Sequence, residues 1–158
     1  MGHPYEPQYD AAEKKYLEFE IETMQNICSY LREDNCLQKN VVVDTTGSLI
    51  YTGQKLIECL GTQAIMVYLK TPPETSLQMY ETFLNSPKPV LWQGQFIKNS
   101  NETDQEALAR CYPELLISRQ QEYERYADVV IDFSIQRQVG FGANDFLEHI
   151  HKSLRKKS

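Results

Sequence analysis

Residues 115–132 read Leu-Leu-Ile-Ser-Arg-Gln-Gln-Glu-Tyr-Glu-Arg-Tyr-Ala-Asp-Val-Val-Ile-Asp, and this stretch decides the fold class. Its first part spaces apolar residues at helical intervals among charged and amide residues, which predicts an amphipathic helix. Its last part places three β-branched residues between Asp128 and Asp132, a pattern typical of a strand buried in a parallel sheet. A helix followed at once by a buried strand predicts an α/β domain.

The same alternation extends over the rest of the chain. Helices are predicted over about 11–33, 54–60, 71–85, 104–126 and 144–154. Apolar runs at 41–44 and 64–69 predict two more buried strands, and residues 49–51 predict a short extended piece. The predicted fold is therefore a mainly parallel sheet with flanking helices.

The composition is that of one globular domain spanning the whole chain. The 158 residues are 41% hydrophobic and 24% charged, close to the average for such proteins. The net charge of −6 argues against nucleic acid or an anionic membrane as a partner, because both need a basic surface. The N-terminus lacks the charged and apolar regions of a signal peptide, so we expect a cytoplasmic protein.

The four cysteines show neither a CxxC pair nor the spacing of metal ligands; they are Cys28, Cys36, Cys59 and Cys111. Cys28 and Cys59 lie in apolar helical patterns, where a free thiol behaves as a small hydrophobic residue. We therefore expect reduced structural thiols rather than a disulfide or a metal site.

Small and acidic residues follow the first predicted strand. Asp44 ends this strand as a Walker-B-type carboxylate does, which predicts a Mg²⁺ ligand; the alternative is a cap for the next turn. The loop Thr45-Thr46-Gly47-Ser48 offers hydroxyl groups, backbone N–H groups and little bulk, which suits an anionic or hydroxylated ligand; the alternative is a tight turn. Ligands of parallel sheets bind beyond the carboxyl ends of the strands, so a site is predicted here.

Two cations are candidates for contacting an anionic ligand. Arg119 lies on a helix with a well-defined apolar face and can bind a carboxylate or phosphate through two hydrogen bonds; the alternative is a surface ion pair with Glu122. Lys88 lies between two prolines in the polar stretch 86–103, whose length is typical of a lid. The alternative for Lys88 is a solvated loop lysine.

In order and spacing, these segments resemble the shikimate kinase family of small P-loop kinases, from about Glu13 to Leu154. The most specific part is the L-L-x-x-R-x-x-x-Y helix with the A-D-x-V-V-D strand, matched by Leu115, Leu116, Arg119, Tyr123, Ala127, Asp128 and Asp132. Further matches are Tyr16–Glu20 in the first helix, Val41–Gly47 at the substrate loop, Ile65–Leu69 with Pro73-Glu74, and Lys88-Pro89-Val90 in the lid.

The resemblance implies a P-loop-kinase-like fold and a phosphotransferase that moves a phosphoryl group from ATP, with Mg²⁺, to a hydroxyl of a small carboxylate-bearing substrate. The substrate-binding residues that it implies are Glu20, Thr45, Thr46, Gly47 and Arg119. It also implies Lys88 as the lid cation near the nucleotide and Asp44 as the metal ligand, and it identifies no catalytic residue.

The chain also differs from that family. Leu17 stands where the family has a carboxylate-binding arginine, and threonines replace two of three loop glycines. No G-x-x-x-x-G-K-[ST] motif occurs in the chain, so the family's first, central strand and phosphate-binding loop would precede Met1. The resemblance therefore implies a domain that is inactive alone, with an upstream segment or partner chain completing the sheet.

Two alternatives stay open at this point. One is a non-catalytic descendant of the kinase fold that binds a ligand or another protein. The other is a kinase for a nucleoside or another sugar-like acid.

Overall fold

In a computed structural model, the protein is an α/β structure with a small parallel sheet and flanking helices. The structure describes residues 1–33, 40–72, 75–85 and 90–156, without the side chains of 76 and 77. Its elements are α1 (Tyr9–Leu31), a 3₁₀ turn (Leu49–Tyr51), α2 (Gln54–Gly61), β1 (Val67–Lys70), α3 (Thr75–Asn85), α4 (Asp104–Tyr126), β2 (Val129–Asp132), α5 (Phe133–Gln136) and α6 (Ala143–Arg155). All five predicted helices are confirmed, and α5 is additional.

The sheet consists of β1 and β2, which pair in parallel with Val67 opposite Val129. The Asp128 carboxylate accepts a 2.8 Å hydrogen bond from the Met66 N–H group. This bond joins the two segments immediately before the paired strands. Residues of β2 alternate between buried and exposed, and Ile150 of α6 packs on the buried face. The strand predicted at 128–132 is confirmed, but only one of its faces is covered.

Residues 41–44 form no strand, so the prediction of a buried strand there is wrong. Val42 is 93% exposed, and neither β1 nor β2 pairs with this segment. A short apolar run becomes a strand only when a neighbouring strand takes up its backbone hydrogen bonds, and none does so within the described residues. Leu49–Tyr51 is likewise not extended but a 3₁₀ turn, closed by a hydrogen bond from the Tyr51 N–H group to the Ser48 carbonyl.

Two hydrophobic clusters hold α1 at its two ends. The first joins the start of α1 to α3, to the segment after residue 90 and to α4; its buried members are Tyr9, Phe83, Trp92, Leu108, Cys111, Tyr112 and Leu115. The second joins the end of α1 to α2, with Met24, Cys28, Leu49 and Leu60 buried. Glu20 lies between these anchors, so its position is set from both sides.

Cys28 and Cys59 form a disulfide with their Cα atoms 6.7 Å apart, so the expectation of reduced thiols is wrong for this pair. The apolar patterns that suggested buried thiols are the same patterns that pack α1 against α2, and this packing brings the two sulfur atoms together. Cys111 is free and buried, as predicted. Cys36 lies outside the described residues.

Candidate functional site

Three segments far apart in the sequence meet around Gly47. The Tyr123 hydroxyl on α4 donates a 2.5 Å hydrogen bond to the Gly47 carbonyl. The Nη1 atom of Arg119, one turn earlier on α4, lies 3.6 Å from the point where a Cβ on Gly47 would be. We call this constellation the Gly47 site; its members are Glu20, Thr46, Gly47, Ser48, Arg119 and Tyr123.

The start of α4 shows why Arg119 and Tyr123 are so placed. Thr103 and Glu106 form a reciprocal capping box, in which the Thr103 side chain accepts from the Glu106 N–H group and the Glu106 carboxylate accepts from the Thr103 N–H group. This cap fixes where the helix begins. Residues four apart share a helix face, so Arg119 and Tyr123 both face the loop.

Glu20 is the buried carboxylate of the site, with 6% of its surface exposed. Its two oxygens accept hydrogen bonds from the hydroxyl groups of Thr46 and Ser48. No lysine or arginine of the described residues forms an ion pair with Glu20. Burying a carboxylate is costly unless hydrogen bonds compensate for lost water, so the two hydroxyl groups hold Glu20 and Glu20 in turn holds the loop.

Arg119 is the half-buried cation of the site. Its Nη2 atom donates a 2.7 Å hydrogen bond to the Leu91 carbonyl, and its Nε atom donates to the Tyr51 hydroxyl at 3.3 Å. Within the described part of the chain, no carboxylate forms an ion pair with Arg119. Glu122, the alternative partner considered from the sequence, pairs with Arg125. The guanidinium therefore keeps N–H donors on its Gly47 side, where an anion can approach.

Tyr123 links the site to the sheet. Its ring packs against Tyr68 of β1 with the ring centroids 5.0 Å apart. Burial raises the pKa of the Tyr123 phenol, although the nearby Arg119 acts in the opposite direction. The phenol is therefore protonated at neutral pH and acts as a hydrogen-bond donor to the loop.

Gly47 is closely approached by the Tyr123 hydroxyl group of α4, a contact that favours glycine at this position. A Cβ at this position would lie 3.1 Å from the Tyr123 hydroxyl oxygen, closer than nearly all van der Waals contacts of real side chains. A residue with a side chain would push the hydroxyl away from the carbonyl that it binds.

Four of the five predicted substrate-binding residues thus come together; they are Glu20, Thr46, Gly47 and Arg119. Thr45 is exposed and makes no side-chain hydrogen bond within the described residues. Ser48 belongs to the loop in which a ligand site is predicted. Tyr123 is part of the family resemblance but not of the predicted site. The spacing of Tyr123 four residues after Arg119 is the signal that could have identified it.

The remaining predicted residues lie elsewhere. Asp44 is exposed and ends no strand, so the structural reason for expecting a metal ligand there is absent. The described residues contain no group of three or more His, Cys, Asp or Glu side chains suited to a metal ion. Lys88 lies outside the described residues, and its role as a lid cation stays a prediction.

The described part of the stretch 86–103 is anchored in the first core cluster. Leu91 and Trp92 are each only 1% exposed. The Glu13 carboxylate accepts hydrogen bonds from the N–H groups of Trp92 and Gln93, the latter at 3.0 Å. The Arg119 bond to the Leu91 carbonyl therefore connects this stretch to the Gly47 site.

A groove of about 610 Å³ lies between α1 and the start of α2, with Ile21, Gln25 and Gly53 in its lining. A second groove, of about 390 Å³, lies beside Asp128. Neither groove contains a residue of the Gly47 site. No helix in the described part of the chain has the length and hydropathy to cross a bilayer.

Comparisons with known proteins yield no relative: no family model matches the chain, and neither the curated proteins nor the solved structures contain a significant match. The chemistry of the Gly47 site is therefore the basis for a function.

Proposed function

We propose that the protein binds a small hydroxylated carboxylate at the Gly47 site, as the substrate-binding part of a shikimate-kinase-like phosphotransferase. The observation that carries this proposal is Arg119, a half-buried guanidinium without a carboxylate partner among the described residues. A guanidinium binds a carboxylate in a bidentate manner, through two parallel N–H···O hydrogen bonds. Charge-assisted bonds of this kind contribute about 1.5–3 kcal/mol.

In this proposal each residue of the site has a separate task. Arg119 binds the ligand carboxylate, while the exposed Thr46 and Gly47 lie towards the rest of the ligand. Ser48 is buried, and its hydroxyl group holds Glu20. Glu20 is a positioning residue, because both of its oxygens already accept hydrogen bonds from the loop. Tyr123 keeps the loop against α4.

ATP and Mg²⁺ do not fit the described residues of this chain by themselves. The sequence has no Walker A motif, and Asp44 is exposed without a second metal ligand beside it. Phosphoryl transfer depends on positioning and charge neutralisation around the phosphates. We therefore propose that an upstream segment or a partner chain in the cytoplasm supplies the nucleotide-binding part, with Lys88 and Asp44 contributing only in that complete form.

Thermal-shift and calorimetric titrations with shikimate as the probe test whether the Gly47 site binds a hydroxylated carboxylate. Its methyl ester has the same ring and hydroxyl groups without the charge, so binding of shikimate but not of the ester is expected. Arg119→Gln should abolish binding, whereas Arg125→Gln, on the same helix but 59% exposed, should retain it. Equal binding of acid and ester, or no binding of shikimate, quinate or gluconate, would contradict the proposal.

The nucleotide side is tested separately by titration with Mg·ATP. The isolated chain should show no micromolar binding, because backbone amides and a lysine of the kind found in a phosphate-binding loop are needed for it. Micromolar binding by this chain alone would contradict the assignment of ATP to another segment. It would leave the result for Arg119 unaffected.

A second candidate function, a protein-interaction module, is favoured by the exposed β-branched run Val41–Val43. We propose that a second copy of the chain pairs with this run through the same residues, as extended segments do in strand addition. Val42→Lys should then reduce self-association measured by light scattering, whereas Val139→Lys, at another fully exposed valine, should not. A strictly monomeric wild-type protein would contradict this second candidate.

A further inference from the structure

The disulfide between Cys28 and Cys59 has two chemically different ends. Cys28 is 4% exposed and packs among Met24, Leu49 and Leu60 in the second core cluster. Cys59 is half-buried, and its sulfur accepts a 3.1 Å hydrogen bond from the Nη2 atom of Arg32 at an exposed position. An external thiol can therefore approach Cys59 but not Cys28.

The Arg32 contact is an unusual use of a guanidinium, since a disulfide sulfur is only a weak acceptor. The same contact becomes strong when the disulfide is reduced, because a cation beside a cysteine stabilises its thiolate. We propose that Cys28–Cys59 is a reversible thiol–disulfide exchange site, in which Cys59 exchanges with an external dithiol and Arg32 stabilises its thiolate. This inference does not depend on the ligand of the Gly47 site.

Exchange proceeds in two balanced steps. A thiolate of the external dithiol attacks the Cys59 sulfur, the Cys28–Cys59 bond breaks, and Cys28 leaves with the electron pair and takes up a proton. The second thiol of the dithiol loses its proton and attacks the other sulfur of the same dithiol molecule, which is bonded to Cys59, and the bond between that sulfur and Cys59 breaks. The dithiol becomes a disulfide, and Cys59 is released as a thiolate beside Arg32; the protein has gained two electrons.

Other charges near Cys59 do not replace Arg32. Cys59 lies in the last turn of α2, where the helix dipole opposes a negative charge. The negative charge of Glu58, directly before Cys59, also disfavours a thiolate. The Glu58 carboxylate accepts a hydrogen bond from Gln54. Lys55 lies one turn before Cys59 on the same helix. Of the charged groups in the described residues, Arg32 is the one in contact with the sulfur. Removing the positive charge of Arg32 should therefore lower the thiolate fraction of Cys59 more than removing any other charge.

Exchange at this site would change how α1 is held. The disulfide joins α1 to α2, and α2 follows directly on the 3₁₀ turn and Ser48. Glu20, eight residues before Cys28 on α1, contacts that same Ser48. Opening the disulfide thus removes a covalent tie between the two sides of the Glu20–Ser48 contact.

The test uses the full chain and peptide-resolved mass spectrometry. Air-oxidised protein should yield a linked Cys28–Cys59 peptide, and dithiothreitol should convert it to two free thiols. After removal of the dithiol, a pulse of iodoacetamide at pH 7 should alkylate Cys59 faster than Cys28. Arg32→Gln should slow alkylation of Cys59 by about three- to tenfold, because the thiolate fraction falls. Arg32→Lys should restore part of the rate.

Lys55→Gln is the matched control, since it removes a charge from α2 without removing the contact to the sulfur. Its effect on Cys59 alkylation should be smaller than that of Arg32→Gln. The proposal is overturned if the two cysteines are free in air-oxidised protein, if Cys28 reacts as fast as Cys59, or if Arg32→Gln acts no more strongly than Lys55→Gln.

Discussion

The Tyr123 hydroxyl and the Gly47 carbonyl form a 2.5 Å hydrogen bond between residues 76 positions apart in the chain. This bond ties α4 to the loop that Glu20 holds from the other side. The Gly47 site is therefore a junction between α1 and α4, and its geometry depends on contacts that substitutions can remove one at a time.

Tyr123→Phe removes the hydroxyl and leaves the ring contact with Tyr68 in place. We expect the free energy of unfolding to fall by about 0.5–1.5 kcal/mol, the net value of a typical hydrogen bond. Urea unfolding measures this change. Tyr126→Phe on the same helix is the control, because its hydroxyl has no hydrogen bond within the described residues, and an equal loss in both variants would argue against the Gly47 bond.

Gly47→Ala should destabilise the protein and weaken binding of a ligand at the Gly47 site. The new Cβ would stand 3.1 Å from the Tyr123 hydroxyl oxygen, which must then move away from the loop. Gly61→Ala is the matched control, since nothing lies within 4 Å of its added Cβ at the end of α2. Helix propensity predicts that this control is neutral or stabilises by up to about 1 kcal/mol. The urea midpoint of Gly47→Ala should fall, whereas that of Gly61→Ala should stay the same or rise.

Glu13→Ala should lower the free energy of unfolding by about 0.5–1.5 kcal/mol, the net value of a lost hydrogen bond. The loss stays in this range because the Trp92 N–H group keeps the Tyr9 hydroxyl as an acceptor and the Tyr9 hydroxyl keeps the Val90 carbonyl. The Glu13 carboxylate accepts from the Tyr9 hydroxyl at 2.6 Å and from the Trp92 and Gln93 N–H groups. Glu13→Gln should cost less, since an amide oxygen still accepts. Glu18→Ala, at an exposed position of α1, controls for the change in helix composition. Equal stability of the Glu13 and Glu18 variants would contradict this role.

Glu102 should contribute to the acid stability of the protein. The Arg110 guanidinium, with the Asn99 N–H group, lowers the pKa of Glu102 to about 2. Because the pKa is lower in the folded state, the contribution is full above the unfolded pKa of about 4.3 and is lost as pH falls through about 2. The difference in urea midpoint between wild type and Glu102→Gln should therefore shrink from pH 5.5 to pH 2. Glu81→Gln, at an exposed position on α3, is the control for replacing a surface carboxylate by an amide.

Elements with strong local signals could be predicted from the sequence. The apolar spacing of α4 predicts a helix over 104–126, and the structure has it from Asp104 to Tyr126. Glu20, Thr46, Gly47 and Arg119, four of the residues expected to bind a substrate, lie close together in the structure. Whether they bind a substrate stays a prediction.

Features that depend on a partner far along the chain could not be predicted in this way. Val41–Val43 has the composition of a strand, but a strand needs a neighbour, and composition does not specify one. Cys28 and Cys59 are 31 residues apart, a separation that carries no local signal for pairing. The hydrogen bond from Arg119 to the Leu91 carbonyl could not be predicted from the sequence either, because every residue has a backbone carbonyl.

The hydrogen bond between Glu13 and the Trp92 N–H group joins residues 79 positions apart, and it has a consequence for synthesis on the ribosome. α1 leaves the ribosome before the segment that satisfies Glu13 and Tyr9, because Trp92 is synthesised 79 residues after Glu13. Contacts of high sequence separation form late, because the intervening chain must first be ordered. A nascent chain that stops before Trp92 therefore exposes the apolar face of α1. We expect chaperones to bind the chain most strongly at this stage.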